Sequence, residues 1–243
     1  MDDSYHLLYE KRYQKVYEAG ADYWGHTPDD EELTEHLTEW VNRHGLKGKR
    51  IIEFFCGEGA AGVILSKLGC IYHGVDIAPS AVQKAKESLK SYPNATVTQL
   101  NVVTGKIDCL YDAALDVMGF HMLVADPDRL GYLSNAFSCL KNKAPMFFFR
   151  EMYAEDADDN FINSFEEWQA LVNFDPSTPR NLHFQKDGKD IEIQIPYVAG
   201  RSKTKAGYTT ELSQAGFIVD SIMETCQSNK VGGDSVSIHA HKP

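Results

Sequence analysis

No run approaching about 18 consecutive apolar residues occurs in this chain, so a membrane-spanning helix is not expected. The opening MDDSYHLLYEKRY places acids where a secretory leader needs a basic stretch, and no export signal is expected there. The cysteines at 56, 70, 109, 139 and 226 are odd in number, widely spaced and lack a C-x-x-C pair. They suggest neither a disulfide framework nor a zinc site, and they fit a reducing compartment. Positive charge is scarce: 24 Lys and Arg against 35 Asp and Glu give a formal charge of −11, the wrong sign for gripping a phosphate backbone. No internal repeat and no low-complexity linker interrupts the chain. These absences together predict a soluble cytoplasmic protein that binds no nucleic acid, membrane or metal, with monomer and dimer both open.

What is present is a rhythm. The first 45 residues read as a helical cap, with SYHLLYEKRYQKVYEA and PDDEELTEHLTEWVNRHG at helical spacing and the loop GADYWGHT between them. From residue 46, GKRIIEFF reads as a buried strand, AAGVILSKLG as a helix and CIYHGVD as a second strand. PSAVQKAKESLKSY, ATVTQLNV, YDAALDVMG, DPDRLGYLSNAFSCLKN and APMFFFREMY continue the alternation. Such alternation implies a parallel sheet wound by helices on both faces. After Tyr153 the rhythm breaks into an insert spanning about 154–205, which includes a short helix and two alternating runs joined around Asp187-Gly188, a hairpin signal. FIVDSIME and SVSIHAHK close the chain with too short a loop for a helical crossover, so an antiparallel pair at the sheet edge is expected. The fold class is therefore α/β: a Rossmann-like, doubly wound, seven-stranded sheet, mostly parallel with an antiparallel C-terminal edge strand, one domain over 46–243 under the cap.

The stretch IIEFFCGEGAAGVILSKLGCIYHGVD carries two signals. Gly57, Gly59 and Gly62 spell G-x-G-x-x-G with Asp76 nineteen residues after Gly57, the dinucleotide fingerprint. Glu53, four residues ahead of Gly57, interrupts a strand that a dinucleotide site usually keeps apolar, and suits a ligand with a cationic tail. A buried unpaired carboxylate costs several kcal/mol, so Glu53 needs a partner.

These residues resemble the class I S-adenosylmethionine-dependent methyltransferases. EFFCGEG is similar to their first motif, HGVDIAPSAV to their second, and QLNVV stands at their third-strand position, with Asn101 where the family often has Asp. The resemblance covers about residues 48–150 and implies S-adenosylmethionine as cofactor, S-adenosylhomocysteine as its product, and a small-molecule methyl acceptor. It implies cofactor contacts at Glu53, Cys56, Gly57, Gly59, Asp76, Ile77, Asn101, Val102 and Asp116. Tyr23 and Trp24, in a loop resembling one that folds over the cofactor in thiopurine- and tellurite-type enzymes, are added to that set; packing onto the domain is their other reading.

Methyl transfer from a sulfonium is an in-line displacement that depends on alignment, and a base is needed only for a protonated acceptor. His121, just past the fourth strand, is the candidate base, and Asp116 at that strand's end the candidate partner of the cofactor's tail or the acceptor; both also have structural readings. Arg150 and Glu151 end the fifth strand and either face the acceptor or pair locally. Arg201, Lys203 and Lys205 either dock an anion or form a solvated loop, the reading favoured here. A nicotinamide-dependent oxidoreductase using the same glycines, and a non-catalytic cofactor-binding protein, are the alternatives.

Overall fold

The computed structural model describes residues 6–173, 175, 177–186, 189–225 and 234–243. Helices α1 (His6–Glu18) and α2 (Glu31–His44) precede strand β1 (Arg50–Phe54). The alternation then runs through α3 (Ala60–Lys67), β2 (Ile71–Asp76), α4 (Pro79–Leu89), β3 (Ala95–Gln99), β4 (Ala113–Val117), α5 (Asp126–Ser138) and β5 (Pro145–Met152). Helix α6 (Phe165–Val172) and strands β6 (Pro179–Lys186) and β7 (Lys189–Pro196) follow, then α7 (Lys205–Gln214), β8 (Ile218–Thr225) and β9 (Ser235–His241).

Seven strands form one sheet in the order β3-β2-β1-β4-β5-β9-β8, with β1 to β5 parallel. The expected α/β sheet is thus present. β9 runs antiparallel to both β5 and β8 and lies one position in from the edge, which β8 occupies. The physical reason is burial: β9 is buried along nearly its whole length, whereas β8 carries only half-buried and exposed residues. β6 and β7 pair as a separate antiparallel hairpin; Asp187 and Gly188, where its turn is expected, lie outside the described residues, as does Cys226.

Two apolar layers sandwich the sheet. α2 presents Leu33, Leu37, Trp40 and Val41 to one face, where Ile64 of α3 and Phe147 and Phe149 of β5 meet them. Asp30 caps α2 by accepting from Leu33 N at 3.0 Å, and Gly45 ends it in a left-handed conformation. On the other face Tyr132, Leu133 and Ala136 of α5 pack with Phe54, Phe148 and Tyr208. α1 lies between α4 and the hairpin: Tyr13 packs with Ala78 and Ala81, and Val16 with Ile195. Strand order reverses where β1 sits between β2 and β4, so a crevice opens at the carboxyl ends of β1 and β4, where α/β sheets bind ligands.

Candidate functional site

The turn that leaves β1 is built by backbone freedom. Gly57 and Gly59 have φ of 49° and 80°, a region costly for other residues, and Gly59 stands at the N-cap of α3. Asp76, at the end of β2, holds this turn: it accepts from Gly57 N at 2.9 Å and from Ala78 N at 2.9 Å. Burial raises its carboxyl above the usual range while those backbone donors pull it back down.

Glu53 is buried, and its partner is the Tyr72 hydroxyl, which donates to its carboxyl. Burial, reinforced by the nearby charge of Asp76, pushes the Glu53 carboxyl up to about 8 against that hydrogen bond, so it is largely neutral at pH 7. Tyr72 also explains the third glycine of the fingerprint. A Cβ on Gly62 would lie 2.5 Å from the Tyr72 ring, and one on Gly74 2.5 Å from its hydroxyl, so these glycines make room for a tyrosine. Cys56 is buried beside them and burial raises its thiol well above the ordinary value, which leaves it an inert filler of the turn.

Beside the turn, Ile77, Asn101, Val102 and Phe55 line a narrow, largely apolar pocket of about 10 Å³, so three of the sequence-derived candidates meet there. The Asn101 side-chain oxygen accepts from Val103 N at 2.9 Å and shapes its own loop.

The segment before the sheet closes over this ground. Glu58, the central residue of G-x-G, is buried and accepts from Trp24 N at 2.9 Å, Gly25 N at 3.1 Å and the Tyr17 hydroxyl at 2.8 Å. The Trp24 ring meets Tyr13 edge-on at 5.0 Å, and the Tyr13 hydroxyl reaches within 3.0 Å of where a Cβ on Gly57 would stand. Tyr23 goes elsewhere: its hydroxyl meets Ser88 on α4 at 3.3 Å and Lys84 lies over its ring. Of the two, Trp24 is the one joined to the turn, through its backbone N–H to Glu58. Sequence reasoning missed Glu58, Tyr13 and Tyr72; a charged residue between two turn glycines was the available signal for the first.

At the end of β4 the geometry sorts the remaining candidates. Asp116 is fully buried with both oxygens used, one by Gly119 N at 2.8 Å and one by the Tyr132 hydroxyl at 2.6 Å. It stands behind the crevice, and its carboxyl is raised well above the ordinary value by burial and then by the charge of Glu151. His121 sits in the turn beyond β4, where Glu151 accepts from both its backbone N and its ring Nδ1 at 2.8 Å. No group among the described residues bonds its Nε2. Glu151 and Arg150 diverge because Arg150 adopts φ 59° at a bulge in β5, sending its guanidinium to Glu32 at 2.6 Å.

The solvated loop expected around Arg201 and Lys203 is not found. Arg201 is buried and bonds Asp126 at 2.8 Å, Lys203 lies 3.4 Å from Glu211, and Glu211 also receives two 2.8 Å bonds from Arg129. Only Lys205 is solvated, paired with Glu224. Asp126, 75 residues before Arg201 in the chain, and the buried Glu211 draw these cations inward, which the run of positive charges alone does not announce. Asp159, in the insert, accepts from Thr204 N at 3.1 Å at the start of α7.

Residues 52–146 match a family model described as a methyltransferase domain. A curated tRNA (uracil(54)-C(5))-methyltransferase of Pyrococcus horikoshii is 26% identical over 100 residues, 41% of this chain and 22% of that protein. The chain spans about a fifth of the length of the curated relatives it matches. Among solved structures, the S-adenosylmethionine-bound amino pentose methyltransferase CalS10 of Micromonospora echinaspora superimposes with a TM-score of 0.65 at 12% identity, covering 95% of this chain and 96% of that one. Magnesium protoporphyrin IX methyltransferase of Synechocystis, with bound S-adenosylmethionine, gives a TM-score of 0.64 at 12% identity, covering 100% and 98%. At such identity the likeness is one of fold. Among the described residues no helix is long and apolar enough to cross a membrane.

Proposed function

We propose that the chain transfers a methyl group from S-adenosylmethionine to a small-molecule acceptor, a reading supported by the match of residues 52–146 to a methyltransferase-domain model and by a fold shared with methyltransferases that bind that cofactor. One observation carries the reading: Glu53 in β1 and Asp76 at the end of β2 flank a single left-handed glycine turn at the point where strand order reverses.

The residues present fit such a cofactor. Asp76 faces the turn with oxygens suited to ribose hydroxyls, and Ile77, Asn101 and Val102, which line the water-sized apolar pocket beside it, are the residues assigned to border the adenine. Gly57 and Gly59 keep the turn free of side chains, with Cys56 packed behind it. Glu53 is assigned the cationic tail, since an approaching ammonium stabilises the carboxylate over the buried acid. Trp24 and Tyr13 cover the turn and exclude water; Tyr23 anchors their loop on α4. When bound, S-adenosylmethionine supplies a carbon already activated on a sulfonium, so the protein's task is alignment.

For a protonated acceptor, His121 is the proposed base. Glu151 accepts a hydrogen bond from Nδ1–H and so holds the tautomer that leaves the Nε2 lone pair for the acceptor. Asp116 acts behind it, fixing the Gly119 turn that carries His121. The insert over 154–205, with its hairpin against α1, is proposed as the acceptor cover. A small acceptor is supported by the charge of −11 and by that cover, and the solved neighbours named above act on an amino pentose and a porphyrin.

Calorimetric titration with S-adenosylmethionine, S-adenosylhomocysteine and NAD in parallel tests the reading. Binding of the two sulfur nucleosides without NAD is expected; binding of NAD alone overturns it.

A further inference from the structure

Helix α1 has two working faces. Glu10, Tyr13 and Tyr17 point to the cofactor turn and α4: Glu10 accepts from Ser80 N at 3.0 Å, Tyr13 stands over Gly57, and Tyr17 bonds Glu58 at 2.8 Å. Tyr9, Arg12 and Val16 point to the insert: the Tyr9 hydroxyl donates to Ala199 O at 2.6 Å, and Val16 packs on Ile195. This is the i, i+3, i+7 stripe of one helix face.

Arg12 on that second face is anomalous. It is only 4% exposed, yet among the described residues it pairs with no carboxylate and its Nε has no hydrogen-bond partner. Its guanidinium lies 4.0 Å over the Trp24 ring. Around it are the phenols of Tyr9, Tyr13 and Tyr197 and a second cation, Arg180 of β6. Burial, then the charge of Arg180, draws its pKa down to about 10, which leaves it charged at neutral pH. The other buried cations of this protein, Arg129, Arg201 and Lys203, each lie against Glu211 or Asp126. A buried guanidinium without an anion is costly, and a planar fork with free donors matches a carboxylate or phosphate.

We propose that Arg12 receives an anionic group, a carboxylate or phosphate, carried by the methyl acceptor, at the seam between α1 and the β6–β7 hairpin. The assignment rests on the methyltransferase reading above for the word acceptor, and on Arg12's own surroundings for the anion. It favours the acceptor over the cofactor's own carboxylate because Arg12 lies on the stripe facing the insert, while Tyr13 and Tyr17 occupy the stripe facing the cofactor turn. Arg180 adds positive potential at the same seam, and Trp24 links it to the glycine turn.

The test uses the full chain and Arg12→Met, which keeps an apolar stem over Trp24. Protein saturated with S-adenosylhomocysteine is titrated with inorganic phosphate, benzoate and uncharged benzamide. Binding of an anion but not of benzamide is expected, with a loss of about tenfold or more in Arg12→Met. Affinities for S-adenosylhomocysteine and for 5′-methylthioadenosine, which lacks the carboxylate, should not change. If Arg12→Met weakens S-adenosylhomocysteine but not 5′-methylthioadenosine, the anion is the cofactor's and the acceptor assignment is overturned. If neither anions nor cofactor respond and the Tm falls, Arg12 only packs on Trp24 and the proposal is overturned. Should the wild type bind no sulfur nucleoside yet bind anions through Arg12, the anion site stands and the methyltransferase reading fails.

Discussion

The backbone N–H of Trp24 donates to both carboxylate oxygens of Glu58 at 2.9 Å, tying the loop between α1 and α2 to the middle of the glycine turn. One side chain in the glycine turn therefore fastens the segment that precedes the sheet. A hydrogen bond to a charged group contributes about 1.5–3 kcal/mol. Glu58→Ala should release the loop, expose the chain before residue 30 to limited proteolysis, and weaken S-adenosylmethionine by about tenfold or more, while the sheet keeps its circular dichroism. Unchanged proteolysis in Glu58→Ala would show that packing alone holds the cover.

Glu53 makes stability depend on pH. Its folded pKa of about 8 lies above the ordinary carboxyl value of 4.5, so between those values the folded state binds the extra proton. Stability from this group is therefore fullest below 4.5 and declines as pH rises toward 8, at up to about 1.4 kcal/mol per pH unit. Glu53→Gln keeps the shape and cannot ionise. Urea denaturation at pH 5, 6.5 and 8 should show a fall in the wild type that is reduced in Glu53→Gln; parallel curves would refute the assignment.

Gly62→Ala tests the space kept for Tyr72. The added Cβ would meet the Tyr72 ring at 2.5 Å, and Tyr72 is buried and bonded to Glu53. Forcing a methyl into such a site costs about 1–3 kcal/mol, and the Tm should fall by several degrees. Gly48→Ala is the comparison for a glycine whose Cβ meets nothing within 4 Å, where only the φ of 74° resists. An unchanged Tm in Gly62→Ala would mean that Tyr72 moves aside freely.

Glu151 and His121 should act together. Glu151→Gln leaves the volume but no longer fixes the imidazole tautomer, so the kcat for a protonated acceptor should fall by about 10²–10⁴, as in His121→Ala, with KM for the cofactor little changed. The pH profile of kcat should lose its histidine limb in both variants. A full kcat in His121→Ala at all pH values would assign the chemistry to alignment alone.

Much of this protein is set by local sequence. The alternation of apolar strands and amphipathic helices dictates a parallel sheet, the glycines at 57 and 59 dictate a turn no other residue adopts cheaply, and Asp76 at a strand end places a carboxylate beside it. Those features depend on neighbours a few residues apart, so periodicity displays them. Only the tertiary structure decided that Glu53 is satisfied by Tyr72, that Glu58 fastens Trp24, that Arg201 and Lys203 are interior cations, and that Arg12 is an interior cation with no carboxylate against it among the described residues. These depend on contacts between residues up to 77 positions apart, as Glu53 with Tyr72 or Lys203 with Asp126 show. A charge in the sequence looks the same whether its partner is water or a buried carboxylate; packing alone removes the water and makes the difference.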